Sequence, residues 1–145
     1  MKIGRIHEDQ LYGLLELYQE LHDNILPEIS ESISDLWNRM LSDRGHHIIA
    51  AVEDGKIISS CVLVVVPNLT HSQRPYGFIE NVITRKDYRK KGLATACLNY
   101  AKEIAQENNC YKIMLMTGSK EEDTLSFYRK AGYNSEDKTA FIQWL

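Results

Sequence analysis

Residues 79–101 read IENVITRKDYRKKGLATACLNYA. The first six residues are rich in β-branched side chains and read as the end of a strand. From Leu93 onward the apolar residues Leu93, Cys97, Leu98 and Ala101 recur at helical spacing. Between the two lies YRKKGLATA (88–96), in which Arg89, Lys90 and Lys91 run into Gly92 and the helix begins at once. No Ser, Thr, Asp or Asn stands directly before it to accept its first N–H groups, which are orphans by geometry. The helix dipole places about half a positive charge at that end, and the three cations add to it. An external anion resolves both problems by accepting the N–H bonds and neutralising the charge. A glycine at the turn keeps a Cβ out of the way. The stretch, from Arg89, Lys90 and Lys91 through Gly92 to Leu93, Ala94 and Thr95, therefore reads as a phosphate cradle.

Outward from this centre, YGFIENVIT (76–84) is a long strand, residues 93–108 a helix and CYKIMLMTG (110–118) a strand. A strand–helix–strand step implies a parallel pair joined by a right-handed crossover. Upstream, HHIIAAVE (46–53) and KIISSCVLVVV (56–66) are strands joined by Asp54-Gly55, a strong hairpin signal. Helices are expected over 9–22, which Pro27 stops from extending, and over 30–43, with Ile33, Leu36, Trp37, Met40 and Leu41 on one face. MKIGRI (1–6) is expected as an edge strand. SKEEDTLSFYRKAG (119–132) reads as a helix opened by a Ser119–Glu122 capping box and closed by Gly132. TAFIQWL (139–145) is expected as a last strand. The fold class is thus α/β: a mixed, mostly antiparallel sheet with a central parallel pair and helices on both faces, in one domain spanning 1–145.

The 145 residues carry a formal net charge of −3, which disfavours a general nucleic-acid binder. Cys61, Cys97 and Cys110 show no CxxC spacing, so neither a disulfide framework nor a zinc knuckle is indicated. They fall on apolar patterns and read as packed, reduced thiols. His46-His47 lacks further ligands at metal spacing, and no metal is expected. The N-terminal residues carry no apolar h-region, and the longest apolar run, 61–67, is too short to span a bilayer. A cytoplasmic location without membrane contact is the expectation.

Neither GxxxxGK[ST] nor GxGxxG occurs, which argues against a P-loop and a dinucleotide site. Arg89-x-x-Gly92-x-Ala94, placed after a strand and opening a helix, resembles the pyrophosphate-binding motif of the GNAT acetyltransferase superfamily. LSFYRKAGY (125–133) resembles that family's second signature. The resemblance follows the element order of nearly the whole chain and is strongest over 76–133. It implies acetyl-CoA as cosubstrate, its pyrophosphate on the amides of 89–95. Its pantetheine arm would pair with the backbone of Val82, Ile83 and Thr84, where the two parallel strands splay. Tyr128 matches the tyrosine that protonates the departing thiolate. Glu80 lies where many members carry an acid that takes the proton of the amine. The sequence departs from the family at Glu121, where an asparagine is frequent, and ends the first motif on Ala94 rather than glycine.

The leading reading is an N-acetyltransferase acting on a primary amine of a small molecule, with a homodimer compatible with the family. A non-catalytic coenzyme A or phosphate-ligand module is the alternative. It has no use for Tyr128 and Glu80. Glu20, Asp23, Glu28, Glu31 and Asp35 form an acidic span without Lys or Arg. As one wall of the acceptor cleft it would favour a cationic amine over an amino sugar phosphate. His71 and Arg74, in the 67–75 loop, would reverse that preference if the loop covers the same cleft.

Overall fold

The structure, a computed structural model, describes residues 1–21 and 25–145. Five strands run β1 (Lys2–Arg5), β2 (His46–Glu53), β3 (Lys56–Val66), β4 (Tyr76–Thr84) and β5 (Ile113–Leu115). They lie in one sheet in that order, antiparallel except for the parallel pair β4–β5. The helices are α1 (Leu11–Tyr18), α2 (Glu31–Ser42), α3 (Leu93–Glu107) and α4 (Glu122–Lys130). The α/β class and mostly antiparallel mixed sheet expected from the sequence are observed, with the parallel pair at one end of the sheet rather than at its centre.

Strand alternation gives the sheet two apolar faces. Ile49 and Ala51 meet Leu93, Cys97, Leu98 and Ala101 of α3 on one face, where Phe127 and Tyr128 of α4 also pack. Ile48, Ala50 and Val62 meet Leu14 and Leu17 of α1 and Trp37 of α2 on the other. Asp54 and Gly55, at φ 49° and 77°, close the β2–β3 hairpin in left-handed conformations, as that dipeptide allows.

Several expected boundaries shift, each for a local reason. The helix expected over 9–22 ends at Tyr18; residues 19–21 close it through i to i−3 bonds, such as Glu20 N to the Leu17 carbonyl at 3.1 Å. Glu20 is drawn off to the turn past β4, where its carboxylate accepts from the Lys86 amide at 2.9 Å. His22 and Asp23 lie outside the described residues. Of the face expected on α2, Trp37 is buried, donating to the Glu8 carbonyl, whereas Leu36 is exposed. Ser30 caps that helix, accepting from the Ile33 amide at 3.3 Å.

The expected Ser119–Glu122 capping box is not formed. The α4 N-cap is Glu121. Ser119 Oγ instead accepts from the Glu121 amide and donates to Thr124 Oγ1, both at 3.2 Å, so the chain stays non-helical for two residues more. Gly132, at φ 97°, does take the left-handed position beyond α4. The strand expected over 110–117 contracts to Ile113–Leu115, and the one expected over 139–145 is unpaired and exposed. Among the described residues no helix is long and apolar enough to cross a membrane.

Tyr18 packs into the α1 face, and burial pushes its phenol up to about 12 against its hydrogen bonds with Asn81 and Ser60. Tyr133 is likewise pushed up to about 12 by burial. A phenol with a raised folded-state pKa holds its proton more tightly folded than unfolded. Its stabilising contribution is complete below pH 10 and lost as pH rises from 10 to 12. The Tyr18 gap of two units corresponds to roughly 2–3 kcal/mol. Urea unfolding should show a stability plateau up to pH 9 and a fall by pH 11. Equal stability at both would contradict the buried phenols.

Candidate active site

β4 is the strand that builds the site. It pairs with β5 only from Gly77 to Ile79. From Glu80 to Thr84 the edge turned toward β5 has no strand partner among the described residues, while the other edge stays paired with β3. The break coincides with Asn81, whose φ of 52° is left-handed, and with a register shift against Ser60–Val62. Asn81 is one extra residue in the strand. Before it, Ile79 belongs to the α3 face; after it, Val82 packs on that face and Ile83 is buried on the other. The bulge therefore re-aims the second half of β4 and opens the parallel pair.

Ile83 turns its carbonyl toward β3, where Ser59 Oγ donates to it at 3.0 Å. By strand alternation the N–H and C=O groups of Val82 and Thr84 point the opposite way, into the splay. The hydroxyls of Ser59 and Thr84 lie 2.7 Å apart, and Ser60 Oγ donates to the Ile49 carbonyl at 2.8 Å. These buried serines brace the bulge from behind.

Past β4 the chain makes a 3-10 turn at Lys86–Tyr88 and enters α3 at Gly92, the N-cap. Gly92 has φ 78° and no side chain caps the helix. The first amide in α3 bonded back is that of Ala96, to the Gly92 carbonyl at 2.9 Å. The amides of Gly92, Leu93, Ala94 and Thr95 have no acceptor among the described residues. Lys90, at φ 60°, adds a second left-handed residue just ahead. A Cβ on Gly92 would meet no atom within 4 Å. The glycine is thus required by its positive φ and by the open space before it, not by contact with another part of this chain.

The basic run divides. Arg85 is largely buried and faces α1: its Nε donates to the Ile57 carbonyl at 2.8 Å, and its guanidinium lies 3.7 Å from Glu16 and 3.8 Å from Glu20. It ties α1 to the end of β4 and is lost to any anion site. Arg89 donates to the Thr84 carbonyl at 3.1 Å, which folds its side chain over the strand end. Lys91 lies over the Tyr88 ring at 4.8 Å. Lys86, Arg89, Lys90 and Lys91 are the exposed or partly exposed cations at the mouth.

Tyr128 is half-buried on α4. Its ring packs against Phe127 at 4.9 Å and edge-on to Tyr133 at 6.3 Å. Its hydroxyl has no protein partner among the described residues. Burial, with a smaller contribution from Cys61, raises its phenol above the usual value. Cys61, on β3, belongs to the α3 face of the sheet, and Tyr128 packs on that same face. Glu80 is exposed and stands opposite Val62, which belongs to the α1 face. Tyr128 and Glu80 therefore approach β4 from opposite faces of the sheet.

Two residues that sequence reasoning missed complete this picture. Asn81 makes the bulge; its only signal was that Asn tolerates φ above zero. Tyr18 bonds to it from α1, and nothing in the helical pattern distinguishes Tyr18 from a core residue. His71 stacks on Tyr111 at 3.9 Å, and Arg74 donates to the carbonyls of Asn109 and Cys110 at 3.1 and 3.0 Å. Both are engaged with the start of β5. Burial raises the thiols of Cys61, Cys97 and Cys110.

Comparison with known proteins finds acetyltransferases. The chain is 33% identical over 84 residues to a glucosamine 6-phosphate N-acetyltransferase of Trypanosoma brucei brucei, covering 58% of this chain and 55% of that protein. It is 29% identical over 109 residues to one from Candida albicans, covering 73% and 71%. A solved structure from Agrobacterium tumefaciens, described as an acetyltransferase, superposes with a TM-score of 0.92 at 35% identity over 100% of both chains. The match to the Acetyltransferase (GNAT) family runs over residues 11–133, taking in the bulged β4, the uncapped start of α3 and Tyr128. The chain belongs to that family.

Proposed function

We propose that this protein transfers an acetyl group from acetyl-CoA to a primary amine of a small molecule by direct attack. The observation that carries the reading is the uncapped start of α3, four amides without a protein acceptor, next to a strand edge left free by the Asn81 bulge. The amides of Gly92, Leu93, Ala94 and Thr95 fit a pyrophosphate, and Arg89, Lys90 and Lys91 add charge at the mouth. Val82 offers strand-like backbone groups to the pantetheine arm, and Thr84 offers its N–H, its carbonyl already accepting from Arg89. Ile83 supports them by anchoring β4 to β3 and the α1 core.

The placement of Glu80 and Tyr128 on opposite faces of β4 suits the chemistry. The amine enters from the α1 face, where Glu80 accepts its proton, directly or through water. Free N–H groups at the bulge polarise the thioester carbonyl as negative charge develops on its oxygen. On the α3 face the Tyr128 phenol donates to the sulfur as the C–S bond breaks. With its pKa raised, that phenol is fully protonated at neutral pH. It is a weaker acid than a thiol near 8.5, so it acts as a hydrogen-bond donor that yields its proton late.

The Glu80→Gln variant should lose most activity at low pH, where the amine is protonated and needs a base. The ratio of wild-type to variant kcat/KM should fall as pH rises; a ratio flat across pH would remove Glu80 from proton transfer.

Among acceptors, an amino sugar phosphate stands first. Two relatives carry glucosamine 6-phosphate in their names. The acidic span that favoured a cationic amine is weaker than its sequence implies: Glu20 is committed to Arg85 and Lys86. Asp23 lies outside the described residues; Glu28, Glu31 and Asp35 remain. A higher kcat/KM for glucosamine 6-phosphate than for a diamine is the expected result. Preference for the diamine, weakening with salt, would return the acceptor to the cationic class.

A further inference from the structure

Ser59 and Ser60 sit side by side on β3, and both are 0% exposed. Ser60 faces α1 with Ala50, its pair on β2, and Ser59 faces α3 with its own pair, Ala51. A hydroxyl shut away from water is tolerated where its bonds are made. Ser59 makes a full set. Its one hydrogen goes to the Ile83 carbonyl at 3.0 Å. Its Oγ also lies 2.7 Å from Thr84 Oγ1, and because the serine hydrogen is spent, Thr84 is the donor there. The Cys97 thiol, in the second turn of α3, bonds to the same oxygen.

Thr84 is thereby held at two points. Its hydroxyl is fixed on Ser59, and its carbonyl accepts from Arg89 Nε at 3.1 Å. Arg89 closes the 3-10 turn and stands three residues before Gly92, the N-cap of α3. A continuous set of bonds thus runs from the core of β3, through the last residue of β4, to the turn that leads into the cradle. From the other side, Cys97 brings α3 onto the oxygen at which that set begins. The free edge of β4 and the uncapped start of α3 are both tied to Ser59.

Acetyl-CoA has to lie on both of those elements at once, its pyrophosphate at the start of α3 and its arm along the end of β4. Two contacts made by one ligand reinforce each other only when their spacing matches the ligand. With no exposed surface, Ser59 touches no ligand itself. We propose that Ser59 is a positioning residue for the coenzyme: through Thr84 and Cys97 it fixes the spacing between the free strand edge and the start of α3. The inference rests on the coenzyme reading given above. A serine that merely fills the core would support the fold and leave that spacing to the backbone.

Calorimetry with two probes separates positioning from support of the fold. Acetyl-CoA spans both elements, whereas adenosine diphosphate carries a pyrophosphate without the arm. Ser59→Ala should weaken acetyl-CoA binding about tenfold, the order of one buried hydrogen bond, and leave adenosine diphosphate bound as in wild type. Thr84→Val keeps the shape of the strand and deletes the hydroxyl, so it should show the same split. It carries the test if Ser59→Ala does not fold. Because the two residues act through one link, the double variant should lose no more than the larger single loss. Unchanged acetyl-CoA affinity in the folded variants, equal weakening of both probes, or losses that add in the double variant would overturn the proposal. A wild type that binds acetyl-CoA but not adenosine diphosphate would overturn it as well, leaving no cradle to position. Failure of the wild type to bind acetyl-CoA would instead overturn the coenzyme reading itself, and the role of Ser59 with it, before any variant is made.

Discussion

Replacing Tyr128 by Phe should lower kcat by roughly 100-fold or more while leaving acetyl-CoA affinity nearly unchanged. The ring keeps its packing against Phe127 and Tyr133, so the fold should survive with a melting temperature close to wild type. Only the hydroxyl goes, and that hydroxyl holds no other residue in place among the described residues. A purely structural tyrosine would show the reverse: little change in kcat and some loss of stability. The raised phenol also fixes the pH behaviour. Wild-type kcat should show no decline from Tyr128 ionisation below pH 10, because its folded pKa lies above the ordinary phenol value. A variant that retains near-normal kcat would return Tyr128 to core packing.

The Gly92→Val variant should lose most of its affinity for acetyl-CoA. Two effects act together and can be separated. A residue with a Cβ at φ 78° costs about 1–2 kcal/mol of backbone strain, more when β-branched. The side chain also occupies the space before the free amides, where it touches nothing in the protein itself. Gly92→Asn distinguishes them, since Asn tolerates left-handed backbone but still fills that space. Calorimetry on folded protein should show weakened binding in both variants. If Asn binds as well as glycine and only Val fails, backbone conformation alone is at stake. If Val also binds normally, the amides at the start of α3 hold no pyrophosphate.

The parts of this account that local chemistry dictates were readable in the sequence. The Asp54-Gly55 hairpin, the helical spacing of Leu93, Cys97, Leu98 and Ala101 and the uncapped cationic entry to α3 each depend on neighbours within a few residues. What was not readable depends on distant partners. Arg85 sits in a basic run, yet the burial of Ile83 beside it and the carboxylates of Glu16 and Glu20 pull it to the α1 face. Glu20 reads as part of an acidic surface, yet it caps the Lys86 amide. Ser119 has the spacing of a capping box, but Thr124 and the Glu121 amide compete for its hydroxyl. The strand expected over 139–145 is a sound local pattern that pairs with no strand among the described residues. The Asn81 bulge left almost no trace in the sequence, because a single extra residue in a β-branched run preserves composition while reversing the faces. That one residue decides which strand groups beyond it face the splay.

The most direct test of acetyl transfer at this site is thiol release from acetyl-CoA by the purified chain, read with a thiol reagent beside mass analysis of the amine. With glucosamine 6-phosphate or another primary amine, one thiol should appear for each acetyl group gained by the acceptor, and Tyr128→Phe should slow both together. Tight binding of acetyl-CoA with no amine-dependent thiol release across a broad acceptor panel would contradict the account and leave a coenzyme-binding module in its place.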